Sequence, residues 1–329
     1  MKRRPSIAGF LLSSVLVITV ACDGDGSGGA VDGGVSDGGV PGARDPLSAA
    51  RWSALAPMPQ PRYYVAVTSA RGKVFVVGGF NDADAKAVHV FDPATGAWSA
   101  TKVLPSLFRM ANAAGVGDRL FVLGGRDNPA TFEYDFATDD WIARAPLPVT
   151  NGRGAAAVGV YGTKVLLAGG VLRGQSANAL NTGVRKAELL TYDTVADTWE
   201  MTGEMPIENG YAMGAVIGKQ FWILGGSTNI ARTDQVLVYD IEAKTWATKP
   251  PLPKSISSAA VGVIGGRIFV TGGIATEVGM ISPDTVVLDV ATGVWATAAP
   301  MPTPRFGTGG TVIGNQFFVA TGIGDGATA

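Results

Sequence analysis

The sequence predicts an all-β protein, a β-propeller of six four-stranded antiparallel blades set radially around one axis. Three observations predict it. Glycine makes up 46 of the 329 residues, while apolar residues stand at 47% and charged residues at only 16%. That balance suits short strands joined by many tight turns. Apolar runs closing on Gly-Gly recur five times, ending at Gly79, Gly125, Gly170, Gly226 and Gly273, with a degenerate sixth copy ending at Gly322. Tryptophans at 52, 98, 141, 199, 246 and 295 keep the same beat, 43 to 58 residues apart, close to the length of one blade.

Every unit reads in one order. A Met-Pro or Leu-Pro turn (Met58-Pro59, Leu104-Pro105, Leu147-Pro148, Met205-Pro206, Leu252-Pro253, Met301-Pro302) leads into a strand of small residues. The Gly-Gly strand follows, then a polar loop. A third strand ends in Phe91-Asp92, Tyr134-Asp135, Tyr192-Asp193, Tyr239-Asp240 or Leu288-Asp289, and a turn leads to the Trp strand. Small residues suit the crowded axis, and the glycine pair lets the backbone turn where side chains would clash. The aspartates are expected to cap their own turns. Trp222, the seventh tryptophan, lies inside an apolar run and reads as core.

The order Gly-Gly, aromatic-Asp, Trp resembles the Kelch repeat across residues 47–329. The last copy has neither a third strand nor a Trp after Gly322. At the other end, Asp45-Pro46 and Trp52-Ser53-Ala54 match Asp92-Pro93 and Trp98-Ser99-Ala100. The Trp52 segment is therefore expected to supply the outer strand of the last blade, hiding an open edge. For its third strand two alternatives stand: the glycine-rich segment near 38–46 substitutes, or the blade is incomplete.

The first residues read as an export leader. Lys2, Arg3 and Arg4 precede an apolar run from Ile7 to Ala21 that is too short to span a bilayer comfortably. Thr19-Val20-Ala21-Cys22 resembles a bacterial lipobox, with Thr19 where Leu is usual. The resemblance implies that Cys22, the sole cysteine, is lipidated and becomes the mature N-terminus. Residues 23–46 hold nine glycines and no aromatic, the composition of a flexible tether. The expected layout is a leader over 1–21, lipidated Cys22 and tether over 22–46, and the propeller over 47–329. Such a protein sits at the cell envelope, on the periplasmic or surface face, and touches the membrane through its lipid alone. Loss of the leader moves the net charge from −1 to −4.

Composition also narrows the chemistry. There is no basic excess to bind nucleic acid. One cysteine and one histidine cannot build a disulfide framework or a Cys/His zinc site, so no metal or cofactor is implied. Galactose oxidase shares a Kelch-type propeller, but its copper site needs two His ligands and a Cys–Tyr crosslink. This chain has only His89, expected on the surface of a blade-one strand, and that activity is excluded. A Ser-His-Asp triad on the rim would need another histidine.

The loops after Met-Pro or Leu-Pro and those after Gly-Gly share one rim of the central channel. Arg62, Arg109, Arg153 and Arg305 lie 15 or 16 residues before the first position of their Gly-Gly or Thr-Gly pair. Tyr211 and Ser257 hold the corresponding places in blades four and five. The arginines have two readings: an anion-recognition ring, or internal donors to loop carbonyls. Blade three carries a longer loop, Val171 to Ala187, with Arg173, Gln175, Asn178, Asn181, Arg185 and Lys186 on the same rim. The expected function is a monomeric binding module for an acidic protein or an acidic glycan. The alternative comes from resemblance to bacterial sialate mutarotases, exported Kelch propellers with acidic and basic residues around the channel. Glu208, Asp82, Asp127, Glu277 and Asp325 are the candidate carboxylates.

Overall fold

The computed structural model describes residues 9–11, 14–19, 47, 50–80, 85–172, 183–275 and 280–325. Within them, small and β-branched residues form six blade sheets of antiparallel strands. Blade one runs Ala66–Ala70, Lys73–Val77, Val88–Asp92 and Ala97–Ala100 from the axis outward. The innermost strands, Ala66–Ala70, Ala113–Val116, Ala157–Tyr161, Met213–Ile217, Ala260–Ile264 and Gly309–Ile313, touch one another in a closed cycle. No helix of the described residues is long and apolar enough to cross a membrane.

Second and third strands are sandwiched between neighbouring blades, so they read as apolar runs rather than alternating ones. The core is therefore interfacial: Phe75 and Val77 of blade one pack with Leu120, Val122 and Tyr134 of blade two. Trp222 is buried in the contact between blades four and five.

Each motif residue has a definite task. The carboxylates of Asp92, Asp135, Asp193, Asp240 and Asp289 each accept a backbone N–H two residues ahead, capping the hairpin as expected. Phe91, Tyr134, Tyr192 and Tyr239 face Trp98, Trp141, Trp199 and Trp246 across the two outer strands, with ring centroids 4.8–5.3 Å apart. Most of these indoles also tie blades together. Trp98, Trp141, Trp199, Trp295 and Trp52 donate Nε1–H to carbonyls of the preceding blade's outer end, at Ala56, Lys102, Ala145, Pro250 and Ala299. The glycine pair serves both directions. Gly78 N–H bonds Ala87 O of its own blade, Gly79 N–H bonds Phe108 O of the next, and both glycines hold positive φ.

Blade six draws on both ends of the chain. Its order is Gly309–Ile313, Gln316–Ala320, Val15–Thr19, Arg51–Ala54. The outer strand is the Trp52 segment, as expected. The third strand is present, and it is Val15–Thr19, inside the stretch read as the leader. Residues 22–46, with Cys22 and the alternative 38–46, lie outside the described residues. A leader's apolar core and a doubly buried strand share one composition, so periodicity did not separate them. The register does. Ile18 faces Trp52 as Leu288 faces Trp295, and Val15-Leu16-Val17 repeats Val236-Leu237-Val238 of blade four.

Candidate functional site

Where each Met-Pro or Leu-Pro turn enters its inner strand, one residue per blade lines the top of the channel. These are Tyr64, Met110, Ala155, Tyr211, Ser258 and Gly307, and all six are left-handed, with φ between 47° and 61°. Their backbones join across blades. Tyr64 N–H donates to Gly307 O, Gly307 to Ser258, Ser258 to Tyr211, Tyr211 to Ala155 and Ala155 to Met110, at 2.6–3.0 Å. The turn into this conformation gives each of these five N–H groups a carbonyl of the neighbouring blade. Below the ring is a channel of about 400 Å³ walled by Ala, Val and Gly of the inner strands. Above it opens a mouth of about 690 Å³.

This geometry corrects the arginine ring. Interblade bonds from Gly79, Gly170, Gly226, Gly273 and Gly322 end on the carbonyls of Phe108, Asn209, Ile256, Arg305 and Arg62. Those are the equivalent positions. Arg109 stands one residue out of register, half-exposed and outside the residues lining the mouth. Tyr211 stands two residues beyond Asn209 and belongs to the channel ring. Ser257, next to Ile256, is buried.

The three arginines that are in register point inward. Arg62 is fully buried; it donates to Ala87 O and Val76 O, and to Nδ1 of His89. His89 is thus an interior acceptor with its ring edge on Trp98, not a strand-surface histidine. Arg153 pairs with Glu188 at 3.1 Å. Burial pushes the Glu188 carboxyl up, but its own backbone N–H, Arg153 and Lys186 outweigh that and hold it below its ordinary value. Arg305 donates to Ser14 O, Ser14 Oγ, Thr321 O and Thr303 O, and burial pulls its pKa down to about 10. Of the two sequence readings, donation to internal carbonyls holds for Arg62 and Arg305, while buried Arg153 meets the Glu188 carboxylate instead. A guanidinium is the side chain that satisfies several buried carbonyls at once.

The mouth is made by other residues, and Tyr211 and Arg185 are the expected ones among them. Tyr63, Tyr64, Phe80, Tyr211 and Phe306 form an aromatic lining. Tyr63 stacks on Phe80 with centroids 5.4 Å apart, and Tyr64 meets Tyr211 at 5.6 Å. The Arg185 guanidinium lies 5.6 Å over the Tyr211 ring and donates to Gly183 O and Ser227 Oγ. Arg232, unforeseen from the sequence, joins Arg185 at the wall. Burial raises the pKa of both Tyr64 and Tyr211 and lowers that of Arg232. The described residues lining the mouth include these two arginines and no carboxylate. At the rim, Ile230 is 95% exposed.

Other candidates fall elsewhere. Arg173, Gln175, Asn178, Asn181, Asp82 and Glu277 lie outside the described residues. Glu208 accepts from Asn229 N–H and is not among the residues lining the mouth. Lys186 is spent on Glu188. Asp325 lies in a short strand paired with Gly9–Leu11.

A ring of four-stranded blades, a small-residue axis and interblade tryptophans define a Kelch-type propeller. The KLHDC2/KLHL20/DRC7 Kelch-repeats domain matches residues 113–322 and the Kelch motif matches residues 61–101, so the chain belongs to the Kelch-repeat family. It is 34% identical to Kelch-like protein 35 of Mus musculus over 106 residues, covering 32% of this chain and 18% of that protein. It is 27% identical to Kelch-like protein 25 of Xenopus tropicalis over 168 residues, covering 49% and 26%. The chain thus spans about a fifth to a quarter of those relatives. The solved structure titled "Structure of YjhT" superposes with a TM-score of 0.68 at 18% identity, covering 79% of this chain and 90% of that one. That likeness concerns the fold.

Proposed function

We propose that this Kelch propeller is a binding module that takes a carboxylate-bearing ligand, an acidic protein segment or acidic glycan, in the mouth above the channel ring. One observation carries the reading: Arg185 and Arg232 sit in one concavity with five aromatic side chains and no acidic residue among the described lining. Partly desolvated guanidinium groups attract carboxylates more strongly than solvated ones, and the aromatic walls offer flat contact to a peptide or a sugar ring. Exposed Ile230 adds an apolar contact at the rim, which favours a protein segment. In the same proposal the module is exported and held at the envelope through lipidated Cys22, on the strength of Lys2-Arg3-Arg4 and Thr19-Val20-Ala21-Cys22.

The mutarotase-type alternative needs a carboxylate over the ring. None of the described candidates Glu208, Asp127 and Asp325 lines the channel or the mouth. Binding is therefore the preferred reading. The test is titration of the full chain with an acidic peptide panel and with sialylated and uronic oligosaccharides, alongside Arg185→Ala and Arg232→Ala. Retained affinity in both variants would overturn the site. Accelerated anomer exchange in sialic or uronic acids, seen by NMR, would assign the enzyme reading instead. Palmitate labelling that survives Cys22→Ser would refute the anchor.

A further inference from the structure

Two consecutive pairings seat the N-terminal segment in blade six as the repeat seats its own strands. Gly9–Leu11 pairs with Ile323–Asp325, the place that Met280–Ile281 holds against Ile274–Ala275 in blade five. Val15–Thr19 then runs antiparallel to both Gln316–Ala320 and Arg51–Ala54. The entry to the strand follows the repeat as well. Thr321 N–H donates to Ser14 O, as Gly78 does to Ala87 O, Gly169 to Glu188 O, Gly225 to Gln235 O and Gly272 to Asp284 O. Arg305 reaches the same Ser14 carbonyl as Arg62 reaches Ala87 O.

The strand is bound by both faces. Leu16 and Ile18 pack with Phe269, Val287 and Phe317 toward blade five. Val15 and Val17 pack toward blade one, with Val76 in one cluster and Val74 and Phe91 in another. All four are at most 5% exposed. Yet the segment joins the propeller only through residues 20–46, so the slot is formed by parts of the chain that do not depend on it covalently. Without its occupant the slot would present two open backbone ladders, an apolar floor and the buried Arg305 guanidinium, whose partners include Ser14 O and Oγ.

We propose that blade six is a strand-acceptor site. Its occupant is Val15–Thr19 with Ser14 ahead of it, a hydroxyl residue before four apolar positions, and the slot holds that strand without covalent continuity. The ladder bonds supply affinity and the alternating pockets supply selectivity. This filling depends on neither the mouth reading nor the leader reading.

The test uses the full chain with a site-specific protease sequence placed between residues 24 and 40. After folding and cleavage, the N-terminal fragment is expected to co-elute with the propeller. A labelled peptide of residues 9–21 is expected to exchange into the slot on warming, at least tenfold tighter than the same peptide carrying Leu16→Asp and Ile18→Asp. The stripped propeller is expected to melt lower and to regain its melting temperature with the first peptide. Immediate loss of the fragment without a change in melting, failure of the label to enter, or equal entry of both peptides would each overturn the proposal. Because the cut is made in vitro, a leader reading refuted by finding Met1 on the exported protein leaves this result intact.

Discussion

Arg305 and Ser14 are 291 positions apart, and the guanidinium of one holds both the carbonyl and the hydroxyl of the other, at 2.8 and 2.9 Å. A buried bond to a charged donor is worth about 1.5–3 kcal/mol. Ser14→Ala is therefore expected to lower the denaturation midpoint of the full chain, and Arg305→Ala to lower it further. The double variant should fall short of their sum, since both remove one interaction. Fully additive losses in denaturant unfolding would disprove the link.

Glu133 is clamped between Arg119, at 2.6 Å, and Arg144, at 2.7 Å. Burial raises its carboxyl pKa, but the two guanidinium groups outweigh that and hold it below its ordinary 4.5. A depressed carboxylate stabilises the fold fully above that value, and the contribution fades as pH falls through the folded pKa. Glu133→Gln should thus be less stable at neutral pH and lose less between about pH 5 and pH 3. A variant whose acid limb matches that of the parent would contradict this.

In the mouth, Arg185 lies over the Tyr211 ring. Tyr211→Ala removes both the aromatic surface and the platform that orients the cation. About tenfold weaker binding of an acidic peptide is expected, near 1.4 kcal/mol. Arg109→Ala, on the wrong side of the register, should leave that affinity unchanged. Equal loss in both would return the site to the sequence-expected ring.

Two glycine substitutions separate crowding from mere flexibility. A methyl on Gly115 would run into the Ser69 backbone carbonyl of blade one, whereas one on Gly203 meets nothing within 4 Å. Gly115→Ala should cost about 1–3 kcal/mol through overpacking. Gly203→Ala should be neutral or stabilise by about 0.5 kcal/mol. Thermal melts of both in the same chain decide the point.

The left-handed ring supplies the opposite case. Ala155 holds φ of 47°, a strained state for a residue with a Cβ. Ala155→Gly is expected to raise stability by up to about 1 kcal/mol, although glycine is otherwise unfavourable near a strand. A lower melting temperature would show that Cβ contacts there outweigh the strain.

By itself the sequence determined the blades, because their signals are side-chain types at fixed places. Tryptophans that bond the preceding blade, aspartates that cap hairpins and glycine pairs that turn and cross-link can each be read as letters. The same letters placed Trp52 in the last blade. Tertiary structure alone decided the site. The channel ring shares a backbone conformation among Tyr, Met, Ala, Tyr, Ser and Gly, so no residue type marks it. Arg62, Arg153 and Arg305 kept an even spacing because one interior position repeats, and burial, not spacing, distinguishes an internal donor from a ligand donor. Arg232 reaches the mouth through a loop fold with no repeat signature. Val15–Thr19 shows the same limit from the apolar side. Hydrophobicity says that a segment leaves water, and only the vacancy between Gln316–Ala320 and Arg51–Ala54 says where it goes.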